Sequence, residues 1–149
     1  EPPPASGALL LDVLCGHPTL DVVEARPGWD FRLLTGHSYA GWTGEITHCW
    51  SHDRSLEIDV VCPQGASGVL RLLFADPDRY GGGRRQAVIV EGKTVAELTD
   101  FETPRWVEAP LAPEETRDGV VHLVVRNLRE GSNVVVSRLQ VAPVRPGAR

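Results

Sequence analysis

Hydrophobic and polar residues alternate in short runs over much of this chain. In SLEIDVVC (55–62), Leu56, Ile58 and Val60 alternate with acidic residues, and a period of two is typical of a strand with one buried face. The same pattern predicts further strands over 69–76, 85–92, 93–98, 105–111, 119–128 and 134–144. The apolar run ALLLDVL (8–14) is a candidate for one more strand.

Turn signals separate these segments at intervals of about eight to twelve residues, as in β-sandwiches. Glu91-Gly92 predicts a tight hairpin turn, and Pro110 predicts that 105–111 is an edge strand because proline has no N–H for a ladder. Helical periodicity is almost absent, and only 111–119 is a candidate for one helical turn. The pattern therefore predicts an all-β, antiparallel β-sandwich rather than a parallel α/β sheet.

The segment from 16 to 54 lacks this clean alternation. It contains Tyr39, three of the four tryptophans and four of the five histidines, namely Trp29, Trp42, Trp50, His17, His37, His48 and His52. A long irregular segment in a compact domain is usually functional or packed across one end of the fold.

Length and composition indicate one globular domain. The chain has 149 residues, of which 42% are hydrophobic and 23% charged, and this is enough for a single core. The Pro/Gly-rich ends predict linkers at 1–7 and 145–149 around one domain at 8–144, taken from a longer protein. The net charge of −5 argues against nucleic acid as a partner, and no apolar run reaches the roughly 20 residues of a membrane span.

The three cysteines leave two alternatives open. Cys15, Cys49 and Cys62 show no C-x-x-C spacing, which excludes the usual zinc motifs and disulfide frameworks. One disulfide with one free thiol fits the count, and so do three buried thiols.

The stretch ADPDRYGGGRRQ (75–86) joins two predicted strands and is rich in charged residues. It lacks the spacing of a phosphate loop and is followed by a strand rather than a helix, which argues against phosphate. Asp76 and Asp78 are candidate ligands of a structural calcium, although calcium usually takes about six to eight oxygen ligands. Asp-Pro-Asp is also a common turn former, and the hairpin interpretation is favoured.

Hydrolytic or zinc chemistry has weak support in the sequence. Ser38, His37 and Asp30 do not have the spacing of a catalytic triad. His48 and His52 are four residues apart, which would suit a metal on a helix, but THCWSHD does not have the pattern of a helix. A small hydrolase or metal enzyme is therefore the third of three hypotheses.

Aromatic rings and planar polar groups favour carbohydrate binding. Sugars present apolar C–H faces and hydroxyl groups, which proteins meet with flat rings and with Arg, Asp, Asn, Gln or His. The candidate contacts are Trp29, Tyr39, Trp42, His48 and Trp50 from the first segment and Asp78, Arg79, Tyr80, Arg84 and Arg85 from the second. A place in the core is the alternative for each tryptophan, and at least one of Trp42, Trp50 and Trp106 is expected there.

The two adjacent arginines at the start of a predicted strand are expected to differ in role. Successive side chains of a strand point to opposite faces. One of Arg84 and Arg85 is therefore expected to face a ligand or partner, and the other to be braced by an acid such as Asp76.

Residues 55 to 142 resemble the galactose-binding-like β-sandwich family, the jelly-roll fold of many carbohydrate-binding modules. The likeness lies in GASGVLRLLFADPD, RRQAVIVEGKTVAEL, the tryptophan-containing PRWVEAPL, DGVVHLVVRNL and GSNVVVSRLQVAP. The resemblance implies an antiparallel jelly roll of two sheets, commonly an accessory module of a secreted bacterial carbohydrate-active enzyme. It also implies a structural calcium in many members and sugar contacts on loops at one end of the sandwich.

The leading hypothesis is a non-catalytic carbohydrate-binding module outside the cytoplasm, extracellular or periplasmic. Its expected partners are a glycan or polysaccharide and a neighbouring catalytic domain, with neither nucleic acid nor membrane. The second hypothesis is a structural β-sandwich domain that braces a catalytic neighbour without binding sugar.

Overall fold

A computed structural model describes residues 9–19 and 21–144, and these residues form short strands joined by turns. The predicted linkers 1–7 and 145–149 lie outside the described residues. The strands are β1 (Leu11–Leu14), β2 (Val22–Ala25), β3 (Asp30–Thr35), β4 (His37–Tyr39), β5 (Cys49–His52), β6 (Ser55–Val61), β7 (Gly68–Phe74), β8 (Gln86–Val90), β9 (Lys93–Leu98), β10 (Arg105–Leu111), β11 (Val120–Asn127), β12 (Val134–Val136) and β13 (Arg138–Ala142). The described ranges contain one short 3₁₀ turn, Tyr80–Gly82, and no α-helix.

Two five-stranded antiparallel sheets form the sandwich, as the sequence predicts. The first sheet has the order β10-β7-β13-β1-β2, the second has the order β3-β6-β11-β8-β9, and a small third sheet has the order β12-β5-β4. From β5 to β13 the chain changes sheet at nearly every step, which is the connectivity of a jelly roll. The strand with Pro110, β10, lies at the edge of the first sheet, as predicted.

The core follows the predicted alternation. On β6, Leu56, Ile58 and Val60 are fully buried, and on β11 Val121 and Leu123 are fully buried, while the residues between them are half-buried. Both rows belong to one hydrophobic cluster between the sheets. Burial of each such side chain contributes about 1.5–3 kcal/mol, so the two central strands fix which faces of the sheets meet.

The outer face of the first sheet buries polar groups that alternation alone would leave in water. Arg71 on β7 is 2% exposed, its Nε donates to Glu108 at 2.8 Å, and its Nη1 donates to Gln140 at 3.4 Å. Its guanidinium carbon lies 4.4 Å from the ring centroid of Trp106, and the Gln140 amide donates onward to Asp12 at 3.2 Å. Side chains from adjacent strands thus cover and pair with one another.

Three expectations about individual segments need correction. The segment 16–54 is not an irregular insert but supplies β2 to β5, whose three to six residues each are too few for a clear period. The region 134–144 is divided into two strands that belong to different sheets. The helical turn expected over 111–119 is a hydrogen-bonded turn in which the Glu115 amide donates to the Ala112 carbonyl at 2.9 Å.

The cysteines are three free, buried thiols. Burial raises the pKa of Cys15 well above its ordinary value, and the neighbouring Cys49 adds to the shift. Burial also raises the pKa of Cys49 to about 12. The pKa of Cys62 is raised first by burial and then by the charges of Asp118 and Glu91. The thiols are therefore protonated core groups at neutral pH.

Candidate functional site

Several loops meet at one end of the sandwich. The backbone amide of Leu128, after β11, donates to the carbonyl of Arg85, before β8, at 2.8 Å. The hydroxyl of Ser132, in the β11–β12 loop, donates to the carbonyl of Tyr80, in the β7–β8 loop, at 2.7 Å. The β4–β5 loop reaches the same surface through Trp42, whose indole N–H donates to Asp78 of the β7–β8 loop. Loops from both halves of the chain therefore share one surface.

Arg84 makes four hydrogen bonds with residues of the loops at this end of the sandwich. Its side chain is 3% exposed, and its Nη1 donates to Asp76 at 2.6 Å and to Asp78 at 2.5 Å. Its Nε donates to Asn133 at 2.7 Å, and its backbone amide donates to Asp76 at 2.9 Å. A buried guanidinium needs this many partners because an uncompensated buried charge is strongly destabilising. We call Arg84, Asp76, Asp78 and Asn133 the arginine hub.

Two aromatic rings contact the arginine hub, and a third ring packs against one of them. The indole N–H of Trp42 donates to Asp78 at 3.2 Å, and the guanidinium carbon of Arg84 lies 5.5 Å from the ring centroids of both Trp42 and Tyr80. The ring of Tyr39 meets Trp42 edge-on with centroids 5.9 Å apart. Tyr39 and Tyr80 are 45% and 49% exposed, so an exposed ring lies at each end of this chain of contacts.

Asp78 is held as a carboxylate. Partial burial alone would raise its pKa, but the hydrogen bond and charge of Arg84, together with the hydrogen bond from Trp42, outweigh that effect and lower the pKa below 3.8. This negative charge connects the β4–β5 loop with the β7–β8 loop.

The run of three glycines lets the β7–β8 loop pack tightly. Arg79 adopts a left-handed conformation at φ 46°, and Gly81 follows with φ 68°. A Cβ on Gly81 would lie 2.6 Å from the carbonyl oxygen of Gly131, a separation that side chains do not tolerate. Outside the turn, Nη1 of Arg79 donates to Glu102 at 2.9 Å. The glycines therefore let the loop that carries Tyr80 pack closely against the β11–β12 loop.

Two depressions flank these rings. A small hollow of about 240 Å³ is lined by Tyr39, Gly41, Trp42, Thr43, Pro77 and Asp78. A larger groove of about 950 Å³ is lined by Asp53, Arg54, Ser55, Tyr80, Arg126, Asn127, Leu128, Arg129, Glu130, Gly131 and Ser132. We call the second depression the basic groove because three of its residues are arginines.

The structure brings together five of the ten predicted contacts, drawn from both segments. Tyr39 and Trp42 of the first segment lie beside Asp78, Tyr80 and Arg84 of the second.

The two adjacent arginines differ as expected. Arg84 is braced by Asp76, and Arg85 is exposed at the start of β8. Which ligand or partner Arg85 faces stays a prediction.

The expected exposed platform of tryptophans is not present. Trp29, Trp42 and Trp50 are 7%, 8% and 4% exposed and belong to the core cluster, and the ring of Trp50 lies 5.2 Å from that of Phe31. Large indole rings contribute most when they are buried, and the core uses them in this way. The prediction that at least one tryptophan fills the core is confirmed.

The candidate calcium ligands do not fit a calcium ion. Asp76 and Asp78 both accept hydrogen bonds from Nη1 of Arg84, so a guanidinium occupies the position between the two carboxylates. Within residues 9–19 and 21–144, no three His, Cys, Asp or Glu side chains are grouped so that they could hold a metal ion.

The three histidines considered for hydrolytic or metal chemistry have other partners. Nδ1 of His48 lies 2.7 Å from the carbonyl oxygen of Cys15, and Nδ1 of His52 accepts the amide of Arg54 at 3.0 Å. Nε2 of His37 contacts the hydroxyl of Ser51 at 3.1 Å, not that of Ser38.

Asp30 is remote from His37. Asp30 begins β3 and pairs with Val61, at the end of the second sheet away from the arginine hub. His37 follows the other end of β3, where Thr35 pairs with Glu57. The triad considered from the sequence is therefore not assembled.

Sequence reasoning missed the arginines of the basic groove and the amide of Asn133. Arg54 is far in sequence from Arg126 and Arg129, and each resembles an ordinary surface residue in the sequence. Asn133 is near a turn, where Asn is common for local reasons. No local pattern links these residues, because Arg126 lies within the predicted strand 119–128 and Arg54 within the irregular segment 16–54.

Neither a protein-family model nor a curated protein matches this chain. Among solved structures, the extracellular domain of ANXUR2 from Arabidopsis thaliana has a TM-score of 0.66 and 10% identity, over 90% of this chain and 41% of that one. A β-glucuronidase from Bacteroides uniformis has a TM-score of 0.65 and 10% identity, over 91% of this chain and 18% of that one. A family 35 carbohydrate binding module from Clostridium thermocellum matches more loosely, with a TM-score of 0.48 and 15% identity, over 77% of this chain and 93% of that one.

At these identities the likeness concerns the fold alone. The chain spans about two fifths of the ANXUR2 domain and less than a fifth of the glucuronidase. No helix of the described residues is long and apolar enough to cross a membrane. The chain has the antiparallel β-sandwich fold that its resemblance to the galactose-binding-like family predicts.

Proposed function

We propose that this chain is a non-catalytic carbohydrate-binding module with its sugar site at the end that holds the arginine hub. The observation that carries the proposal is the pair of half-exposed rings, Tyr39 and Tyr80, connected through Trp42 and Arg84. A sugar ring stacks its C–H groups on such a surface. Rings that are already held in place lose little conformational entropy when they bind.

Polar groups beside these rings supply directional contacts. The side chain of Asp78 is 42% exposed and ionised, so its free lone pairs accept hydrogen bonds from sugar hydroxyls. Arg79 and Arg85 are exposed donors on the same loop. This combination of a ring face with planar polar groups is typical of sites that recognise polar ligands with apolar faces.

The proposed setting is a larger secreted carbohydrate-active protein, extracellular or periplasmic, in which this chain is an accessory module beside a catalytic domain. Two observations support it. The fold of this chain occurs as a part of a β-glucuronidase and as a part of an extracellular domain. Both of those proteins are considerably longer than this chain. The proposed partners are therefore a polysaccharide and a catalytic domain of the same protein.

A glycan array followed by isothermal titration calorimetry tests the proposal. Tyr39→Ala and Tyr80→Ala are expected to weaken binding of the best glycan by about tenfold or more. Loss of either ring removes apolar contact area, at about 25 cal/mol per Å², and the ring's own packing contribution of about 0.5–1.5 kcal/mol. Val95→Ala removes an exposed apolar side chain from β9 and is the matched control, with no expected change. Absence of binding across plant, algal and host glycans would leave the bracing role, in which deletion of the domain destabilises the parent protein without changing its glycan affinity.

A further inference from the structure

The basic groove has a positive charge that is unusual for this protein. The whole chain has a net charge of −5, yet the groove is lined by three arginines and two acids. Arg54 and Arg126 form no ion pair with the part of the chain that the structure describes, and Arg129 donates from Nη1 to the carbonyl of Gly82 at 2.8 Å. Three arginines against two acids leave the lining net positive, and guanidinium groups without an ion pair in a concave surface attract anions.

A fourth arginine extends the positive surface. Leu128 lies in the groove, and its backbone amide donates to the carbonyl of Arg85 on the neighbouring strand. Arg85 is exposed and has no ion pair within the described residues. Arg126, near the end of β11, lies two residues before Leu128, and both side chains line the groove.

The walls of the basic groove combine apolar and cationic contacts. Tyr80 is 49% exposed and Leu128 is 38% exposed, so a ring and an aliphatic group both face the groove. A guanidinium group binds a carboxylate or a sulfate through two parallel N–H donors, which gives both strength and orientation. The groove therefore offers an apolar surface for a sugar face and several donors for an oxyanion.

We propose that the basic groove binds the anionic groups, carboxylate or sulfate, of an acidic polysaccharide. The inference rests on the proposed function and specifies its ligand class. The tyrosine ring orients the sugar ring, and Arg54, Arg126 and Arg129 contact oxyanions along the chain. A nucleic acid is disfavoured because the chain has a net charge of −5, whereas binding of a continuous phosphate backbone needs a broad basic face.

Titration calorimetry with matched probes tests the inference. Polygalacturonate and its methyl ester separate carboxylate from neutral pectin, dextran sulfate and dextran separate sulfate from neutral glucan, and a single-stranded oligonucleotide serves as a non-sugar polyanion. We expect one of the acidic polysaccharides to bind at least about tenfold more tightly than its neutral partner, with affinity that falls as NaCl rises. The arm that binds identifies carboxylate or sulfate.

Two double variants complete the test. Arg54→Gln with Arg126→Gln is expected to weaken that binding by roughly tenfold or more, because charge-assisted hydrogen bonds are lost. Lys93→Gln with Arg117→Gln changes the net charge equally and alters exposed residues at the opposite end of the sandwich. Lys93 begins β9, and Arg117 lies in a turn beside Glu114 and Glu115, so this variant is expected to leave affinity within about twofold. Thermal unfolding of each variant confirms that it is folded.

The outcomes separate this inference from the proposed function. Binding of neutral glycans that depends on Tyr39 or Tyr80 but not on Arg54 and Arg126 would overturn the inference and leave the proposed function standing. Equal loss in both double variants, or oligonucleotide binding as tight as that of the polysaccharide, would reduce the effect to general charge attraction and would also overturn it. Absence of any glycan binding would overturn both.

Discussion

The guanidinium of Arg84 lies 2.6 Å from the carboxylate of Asp76, and the two side chains are 3% and 1% exposed. Asp76 follows β7 and Arg84 precedes β8, so this buried pair fixes both ends of the loop that carries Tyr80. The conformation of the candidate site thus depends on an interaction below the surface rather than on the residues that would touch a ligand.

Replacing the buried cation should be costly. Arg84→Met leaves Asp76 as an uncompensated buried charge, and loss of one partner of a buried pair typically costs about 3–5 kcal/mol. Urea unfolding at pH 7 measures this cost. Arg85→Ala removes the adjacent exposed guanidinium and should change stability by no more than about 0.5 kcal/mol. Similar costs for the two variants would show that the pair does not hold the loop.

Stability should depend on the ionisation of Asp78 at low pH. Its pKa is lower in the folded protein than its ordinary value of 3.8, so the unfolded state binds more protons as the pH falls below about 4. The stabilisation is present above pH 3.8 and is lost as the pH falls through the lower folded pKa. The free-energy gap between the native protein and Asp78→Asn, followed by urea unfolding from pH 6 to pH 2.5, should therefore narrow below about pH 4. A gap that is constant over this range would contradict the assignment.

Gly81 should be required both for its left-handed backbone conformation and because a side chain would collide with the neighbouring loop. Gly81 and Gly65 both have positive φ, at 68° and 76°, but only at Gly81 would a Cβ meet other atoms. Gly65→Ala should cost about 1–2 kcal/mol for the left-handed conformation alone, and Gly81→Ala should cost clearly more because Gly131 must move. Thermal unfolding of both variants measures the difference. Equal costs in the two variants would mean that the β7–β8 loop, at Gly81, does not pack against the β11–β12 loop, at Gly131, as described.

The thiols should be unreactive in the folded protein. With a pKa of about 12, Cys49 is thiolate in only about one molecule in ten thousand at pH 8, and its side chain is also buried. Labelling with Ellman's reagent should be very slow for native protein and should reach three thiols per chain in denaturant. Rapid labelling before unfolding would show that one cysteine is accessible.

Part of the fold could be predicted because alternating apolar residues in a core strand indicate which of its faces is buried. Leu56, Ile58 and Val60 identify the buried side of β6, and Pro110 identifies an edge strand. The short strands of 16–54 could not be predicted in the same way. They are extended because they pair with a neighbouring strand, and their own hydrophobic period is too short to indicate it. Tertiary context commonly overrides local pattern in such edge elements.

Part of the site was also visible in the sequence. Two adjacent arginines beside a predicted strand imply different roles, and a nearby acid implies a brace for one of them. The structure pairs Arg84 with Asp76, although both arginines precede β8 rather than lie on it. The fate of the tryptophans was not visible, because an indole is equally suited to a core and to a sugar face. Only packing decided that Trp42 is buried and donates to Asp78.

The sequence by itself determined the class of the fold, through the period of its apolar residues and the spacing of its turns. The tertiary structure alone decided which surface could recognise a ligand. Arg54, Tyr80, Arg126 and Arg129 come from three different stretches of the chain, and they share one groove only because β6, β8 and β11 are neighbours in the second sheet. Strand pairing brings distant residues together, and no local pattern encodes that pairing.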